Sequence, residues 1–377
     1  MSEDQTIVLN GNEISFEPGE TVLDVARRSD IDIPTLCYLK GASPTGNCRV
    51  CVVEVEGENN LLPSCDTPAS AGMVVQTESA RVVEARKMII QLMLSSGNHN
   101  CAIRGSEGSD WTRFQMAVQE KDQSEELCPA WGDCRLQDLA YRYQVSAEKD
   151  LETTVPYPME TVNPFIVRDF SRCIKCGRCV QACNEVQVNN AIDVGYKGAD
   201  VKIVTPGDKP LKDSDCVFCG ECLQVCPVGA LVAKSARYKV RPWETTKVRT
   251  TCTYCGVGCQ VHLHVKDDNV VGVTGVEDVA PNYGSLCVKG RFGYDFINSP
   301  ERLTTPLIKE NGSFREATWD EALDLVANRL TDIKSQHGAD SLGVLTSARV
   351  TNEENYIANK FVRAVLKTNN IDHCARL

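Results

Sequence analysis

The sequence contains no run of about 18 consecutive apolar residues, the length a helix needs to cross a bilayer. No membrane span is therefore expected within the 377 residues, and a membrane-bound partner stays open. The opening, MSEDQTIVLN, has no basic n-region, no apolar h-region and no twin arginine, so the expected location is the cytoplasm. Positive charge is in deficit. Forty lysines and arginines face 51 aspartates and glutamates, and a formal net charge of -11 leaves no basic excess for a phosphate backbone. No nucleic-acid partner is expected. No G-x-G-x-x-G follows a strand pattern, which leaves no nicotinamide or flavin site to argue for. What is abundant is cysteine, at 20 residues, and in a cytoplasmic chain that many thiols point to metal rather than to disulfides.

The cysteines sort by spacing. In the N-terminal region an apolar strand, an Asn10-Gly11 turn suited to type I′, a second strand and a helix from about Thr21 to Ser29 lead into Cys37, Cys48, Cys51 and Cys65. Their spacing, C-x10-C-x2-C-x13-C, departs from the plant-type 2Fe-2S pattern in its first gap. Zinc is the alternative, but zinc ribbons usually offer two close pairs and this region offers one. Further on, CIKCGRCVQAC supplies Cys173, Cys176, Cys179 and Cys183, and CVFCGECLQVCP supplies Cys216, Cys219, Cys222 and Cys226. Each run is C-x2-C-x2-C-x3-C, which reads as a two-cluster bacterial ferredoxin in which the fourth cysteine of each run serves the other cluster. The expected 4Fe-4S sets are Cys173, Cys176, Cys179 and Cys226, and Cys183, Cys216, Cys219 and Cys222. Pro227 follows the second run as that pattern expects, and Asn184 stands in its place after the first.

Three further regions resemble known families. The wide first gap at Cys37 is similar to the β-grasp 2Fe-2S domains at the N-termini of iron-only hydrogenases, complex I large subunits and cytosolic formate dehydrogenases. In those families a 4Fe-4S site with one histidine and three cysteines follows, then a segment close to Leu136-Gln137-Asp138-Leu139. Here Cys128-x5-Cys134 and RLQDLAYRY fit. Twenty-six residues separate Cys101 from Cys128 and read as an insertion. The resemblance implies His99, Cys101, Cys128 and Cys134 as the ligand set, against the plainer reading of a lone structural histidine. Finally, CTYCGVGC and CVKGRFGYDF place Cys252, Cys255, Cys259 and Cys287 in a C-x2-C-x3-C-x27-C pattern. It resembles the 4Fe-4S domain of the molybdopterin oxidoreductases, and most closely that of formate dehydrogenase. In that family the lysine two residues after the fourth ligand lies between cluster and pterin, which implies an electron-relay role for Lys289. These sets take every cysteine but Cys374, which reads as a buried structural thiol.

The expected fold is an α+β multidomain iron–sulfur protein. It comprises a β-grasp 2Fe-2S domain (1–78), a His/Cys-ligated 4Fe-4S domain with an insertion (79–150), a two-cluster ferredoxin domain (160–242), a molybdopterin-type 4Fe-4S domain (245–303) and the start of a doubly wound α/β domain (304–377). In the last, Thr318-x-x-Glu321 and Thr351-x-x-Glu354 read as capping boxes, and Gly338 as a C-cap. SLGVLTSA reads as a buried strand lacking parallel neighbours downstream, as in a domain cut short. An apolar stripe runs through Ile357, Phe361, Val362 and Leu366.

Formate dehydrogenases of this type contain a segment very like NNIDHCARL, directly followed by the active-site cysteine or selenocysteine and a histidine. The resemblance implies that the sequence stops at Leu377 because the next codon is UGA, and that pterin-binding domains follow. Cys374 and His373 precede the family's catalytic positions, so no catalytic residue is expected in the chain as given. The implied activity is interconversion of formate and CO2 at a molybdenum or tungsten bis-pterin centre of the full protein. Electrons would be relayed through one 2Fe-2S and four 4Fe-4S clusters to a flavin-containing NADH- or ferredoxin-linked diaphorase subunit, or to a hydrogenase subunit. An iron-only hydrogenase should show its own cysteine motifs in place of CTYCGVGC, and a complex I subunit lacks the two-cluster ferredoxin between its modules. The third rival is a non-catalytic electron carrier that ends at Leu377.

Overall fold

The structure is a computed structural model that describes residues 5–99, 128–148, 151, 157–238 and 240–373. The chain divides into two compact units, Met1–Thr245 and Thr246–Leu377.

The first unit opens with strands β1 (Thr6–Leu9) and β2 (Asn12–Ser15), joined through Asn10 and Gly11. Both residues have positive φ, as a type I′ turn requires. Helix α1 (Val22–Arg28) starts at a full capping box in which Thr21 and Asp24 satisfy each other's backbone amides. Strands β3 (Val52–Val55), β4 (Leu62–Pro63) and β5 (Val74–Gln76) complete a mixed sheet of order β2-β1-β5-β3-β4. The β1–β5 pairing is parallel and the β1–β2, β3–β5 and β3–β4 pairings are antiparallel, a β-grasp arrangement. Val22, Leu23, Val25 and Ala26 of α1 are buried with Ile7, Leu9, Val53 and Val75 of the sheet, in the core that also holds Cys51 and Cys65.

Helix α2 (Ala80–Ser95), capped by Ser79, buries Val82, Arg86, Ile90 and Leu94, one residue per turn. It packs on α3 (Arg135–Tyr143) through Ile90, Leu94, Leu136, Leu139, Ala140 and Tyr143, and Cys37, Cys48, Cys134 and Cys176 share that core. The fully buried Arg86 joins these elements. It pairs with Glu78 at 2.6 Å and donates to the Tyr143 hydroxyl at 3.0 Å and the Val52 carbonyl at 2.8 Å. Arg86→Met leaves these acceptors without their donor, so chemical denaturation should show a loss of about 3 kcal/mol.

The ferredoxin-like part is small. Strands β6 (Ile166–Arg168) and β9 (Leu231–Ala233) pair with each other, as do β7 (Asp193–Gly195) and β8 (Lys202–Val204). The short helices α4 (Arg178–Gln181) and α5 (Glu221–Val225) pack together, and α5 also packs on β9.

The second unit begins with an antiparallel sheet of β10 (Thr246–Thr251), β11 (Gln260–Lys266) and β12 (Asn269–Gly275), followed by α6 (Val288–Phe292) and the hairpin β13 (Leu307–Glu310) and β14 (Ser313–Glu316). Helix α7 (Trp319–His337) is capped by Thr318 and closed by Gly338 at φ 85°. Its expected capping box is half made: Thr318 accepts from the Glu321 amide, while the Glu321 carboxylate pairs with Arg315. The box at Thr351 and Glu354, which opens α8 (Asn352–Phe361), is complete.

Two expectations for this region need correction. Strand β15 (Val344–Thr346) does have a parallel neighbour, β16 (Ile371–His373), reached through α8 in a βαβ crossover. The three residues IDH, with one apolar side chain, carry too weak a pattern to announce a strand. Nor is the strand buried: Leu345 is 88% exposed, and among the described residues Leu342, Val362 and Leu366 form the buried core beside it. Of the expected α8 stripe, Val362 and Leu366 are inside, whereas Ile357 and Phe361 are exposed. No helix among the described residues is long and apolar enough to cross a membrane.

Candidate iron–sulfur sites

At the 2Fe-2S position, the loop after α1 and strands β3 and β4 bring Cys37, Cys48, Cys51 and Cys65 together, all buried. The Sγ atoms of Cys51 and Cys65 lie 3.4 Å apart. The thiols of Cys48 and Cys65 beside Cys37 hold its pKa down, and the Cys65 thiol holds Cys51 down to about 7. The contact with Cys37 pushes both Cys48 and Cys65 up. The four sulfurs thus form one connected group.

In the ferredoxin-like part the grouping is crossed. Cys173, Cys176 and Cys179 lie within electrostatic reach of Cys226. Cys216 and Cys222 lie within reach of Cys183. Helix α4 and the π-turn after it, Ala182–Val186, carry Cys183 away from its own run. A cavity of about 40 Å³ lies against Cys173, Cys176, Cys179, Cys222 and Cys226, otherwise lined mainly by apolar side chains such as Ile174, Ile192, Ile203 and Val228. Burial pushes Cys173 up to about 11 and Cys176 up to about 12.

The described part of the His/Cys region contains His99, Cys128 and Cys134, while Cys101 lies outside the described residues. Cys128 and Cys134 are buried, and the buried Arg241 donates to the Cys128 carbonyl at 2.7 Å. Backbone bonds from Asn98 to Ser171 (2.7 Å) and from Arg135 to Pro227 (2.9 Å) tie this region to the ferredoxin-like part. Arg172 and Asp169 act on His99 electrostatically, in opposite directions. Although the residue as a whole is half-buried, its Nε2 atom is buried and has no hydrogen-bond partner among the described residues. Burial first, and then Arg172, lower its pKa to about 4, so the ring is neutral at pH 7. A folded-state pKa below the unfolded one means that the unfolded chain binds the proton more tightly. The iron-free protein should therefore lose up to about 3 kcal/mol of stability as pH falls from about 6.5 to about 4. His99→Gln should flatten that slope in pH-dependent denaturation.

In the second unit Cys252 follows β10, Cys259 precedes β11 and Cys287 is the N-cap residue of α6. The Cys252 amide donates to the Cys259 carbonyl at 2.8 Å, and Cys252 and Cys259 lie within electrostatic reach of Cys255 and Cys287. Burial raises the thiol pKa of both Cys252 and Cys259. Asn282 holds the loop in place. Its Oδ1 accepts from the Gln260 amide at 2.7 Å, and its Nδ2 donates to the Gln260 and Ser285 carbonyls. Asn352, at the start of α8, donates to the Gly256 carbonyl at 2.7 Å, linking the α/β segment to the cysteine loop. Lys289 is exposed on α6. Asn282, Asn352 and Arg241 carried no signal in the sequence, because each acts on backbone far away along the chain.

These sites fit iron–sulfur clusters. Their donors are soft sulfurs, with a neutral imidazole in one candidate set and no carboxylate. Among the described residues no three His, Cys, Asp or Glu side chains are set to hold a single metal ion. The mainly apolar cavity at Cys173 would stay dry as a water site yet presents five thiols. Cys374 lies outside the described residues.

Taken together, the fold and these cysteine groups define an iron–sulfur oxidoreductase chain of several modules. Residues 3–80 match the family model of the 2Fe-2S iron-sulfur cluster binding domain, and residues 163–232 that of the NADH-quinone oxidoreductase subunit 3 ferredoxin-like domain. Residues 245–299 match the molybdopterin oxidoreductase Fe4S4 domain, and residues 302–377 the molybdopterin oxidoreductase family. The chain is 36% identical over 372 residues to the NADPH-Fe(3+) oxidoreductase subunit alpha of Geobacter sulfurreducens, covering 99% of this chain and 40% of that protein. It is 32% identical over 412 residues to a Bacillus subtilis protein named "Putative formate dehydrogenase YrhE", covering 98% of this chain and 40% of that one. The chain thus spans about two fifths of the length of these curated relatives. A crystal structure of an NAD+-reducing [NiFe]-hydrogenase superposes with a TM-score of 0.53 at 28% identity, over 63% of this chain and 91% of that one. Segment by segment, the chain is similar to the iron–sulfur electron-transfer region of molybdopterin oxidoreductases.

Proposed function

We propose that this chain is the electron-transfer part of a formate dehydrogenase catalytic subunit. In the full protein, formate would be oxidised to CO2 with release of a proton and two electrons, or the reverse. The observation that carries this reading is the join in the second unit, where Asn352 of the α/β segment bonds the CTYCGVGC loop at Gly256. That join puts a cysteine group directly against the region matching the molybdopterin oxidoreductase family.

When bound, a molybdenum or tungsten bis-pterin supplies two-electron chemistry and iron–sulfur clusters supply one-electron steps. The chain's own residues hold and insulate. We assign Cys37, Cys48, Cys51 and Cys65 to a 2Fe-2S cluster. Four 4Fe-4S clusters fall to His99 with Cys101, Cys128 and Cys134; to Cys173, Cys176 and Cys179 with Cys226; to Cys183 with Cys216, Cys219 and Cys222; and to Cys252, Cys255, Cys259 and Cys287. Lys289, two residues beyond Cys287 and the second residue of α6, takes the relay position on the pterin side. The electron acceptor is a flavin-containing diaphorase or a hydrogenase subunit, a reading supported by the resemblance to a hydrogenase that reduces NAD+.

A second reading rests on the Geobacter relative, whose name records NADPH and ferric iron. In it the clusters would carry electrons from NADPH, oxidised on a partner subunit, and formate would not be a substrate. Adding formate or NADPH separately to the anaerobic full-length complex and following cluster reduction by EPR separates the two. Reduction by formate, together with molybdenum or tungsten in the protein, supports the first reading. Reduction by NADPH alone replaces it with the second.

A further inference from the structure

A buried polar atom without a partner is costly, and three side chains around the His/Cys region carry four of them. One is the Nε2 atom of His99, the expected ligand itself. The others belong to residues outside the ligand set: Nε2 of Gln137, and Nε and Nη2 of Arg241. These two residues are 3% and 1% exposed, and none of the three atoms has a hydrogen-bond partner among the described residues.

Both side chains are anchored on the loop from Cys128 to Cys134. Gln137, in the first turn of α3, accepts from the Gly132 amide through Oε1 at 3.1 Å. A backbone N–H needs an acceptor, so this bond fixes which end of the side chain is oxygen and leaves Nε2 as an unused donor. Arg241 donates from Nη1 to the Cys128 carbonyl at 2.7 Å. Because the guanidinium is one rigid plane, its Nε and Nη2 stay beside that same ligand residue. The carbonyl is neutral, and the nearest carboxylate along the chain, Glu244, accepts from the Arg241 backbone amide at 2.8 Å. Trp243 lies against Gly132: a Cβ built on that glycine would sit 2.7 Å from the indole ring. The segment carrying Arg241 therefore covers the loop.

We propose that Arg241 and Gln137 donate hydrogen bonds to the sulfurs of the cluster assigned to the His/Cys site, and that the Arg241 charge raises its reduction potential. A buried cation with unmet donors calls for an anion, and sulfide and thiolate sulfurs are anionic acceptors. Reduction adds one electron and breaks no bond, so the reduced cluster carries one more negative charge. Donors to its sulfurs and a fixed cation beside them stabilise that form over the oxidised one. Burial keeps the arginine's field from being screened by bulk water.

This inference rests on the cluster assignment proposed above, and the test separates the two. The full chain, loaded with iron and sulfide and carrying isotope-labelled histidine, is titrated potentiometrically under EPR, and ENDOR marks the cluster that has a histidine ligand. Absence of a histidine-coupled cluster from the wild type overturns the assignment itself. With that cluster present, Arg241→Gln should make its reduction about tenfold less favourable, about 59 mV for one electron. Gln137→Met, which removes the amide donor at similar volume, should shift the same midpoint in the same direction. Arg241→Lys keeps the charge and should shift it less than Arg241→Gln does. The midpoints of the other clusters should stay at their wild-type values in all three. If Arg241→Gln does not retain the histidine-coupled cluster, Gln137→Met decides the matter. A purely structural role for the pair leaves that midpoint where it is, so an unchanged potential in the deciding variant overturns the inference. So does an equal shift of every cluster.

Discussion

Serine at position 183 should remove the cluster held by Cys216, Cys219 and Cys222 and leave intact the one held by Cys173, Cys176 and Cys179, the run to which Cys183 itself belongs. Cys226→Ser should do the converse. The expectation follows from the crossed grouping, in which Cys226 lies within reach of Cys173, Cys176 and Cys179, and Cys183 within reach of Cys216 and Cys222. A serine alkoxide is a harder, more basic donor than a thiolate and binds iron poorly at neutral pH. Each variant should lose the iron of one four-iron centre, together with one EPR signal. The signals lost should differ between the two variants, and a serine at 183 that silenced the Cys173 site would contradict the crossing.

Alanine at Gly275 should have the largest effect of any single methyl group in the second unit. A Cβ built there would sit 1.9 Å from the Gly284 carbonyl oxygen and 2.5 Å from its carbon, both of them backbone atoms that no rotamer change can move. The end of β12 and the loop to Cys287 would have to separate, opening the segment that Asn282 ties to Gln260. Overpacking against backbone costs about 3 kcal/mol or more. Gly275→Ala should therefore lower the thermal midpoint of the second unit and lose iron from the Cys252 site, while the first-unit signals persist. Gly290 serves as the contrast: a Cβ there meets the Cys252 sulfur at 3.6 Å, an ordinary contact.

How much of this was legible in the sequence depends on whether a feature repeats locally. The hairpin at Asn10-Gly11, the α1 cap at Thr21 and the caps at Thr318 and Thr351 are short-range features, and each appears where its residues stand. The ferredoxin runs carry their grouping in their spacing, because a helix of fixed pitch takes the fourth cysteine a fixed distance away. Helix α2 was missed. Its buried face includes the charged Arg86, which reads as surface until Glu78, Tyr143 and Val52 are seen around it. Strand β16 was missed because a three-residue strand owes its existence to its neighbour Val344–Thr346. Asn282 and Asn352 were illegible for the same reason, since each bonds a backbone carbonyl or amide supplied by a distant loop.

The function proposed for this chain depends on the number and kind of its metal centres. Iron and acid-labile sulfide should be quantified in the anaerobically purified full chain alongside low-temperature EPR and Mössbauer spectra. The prediction is one two-iron and four four-iron centres per chain, with no stoichiometric zinc. Zinc in the Cys37 or Cys252 group, or iron short of the four-iron centres, would contradict it.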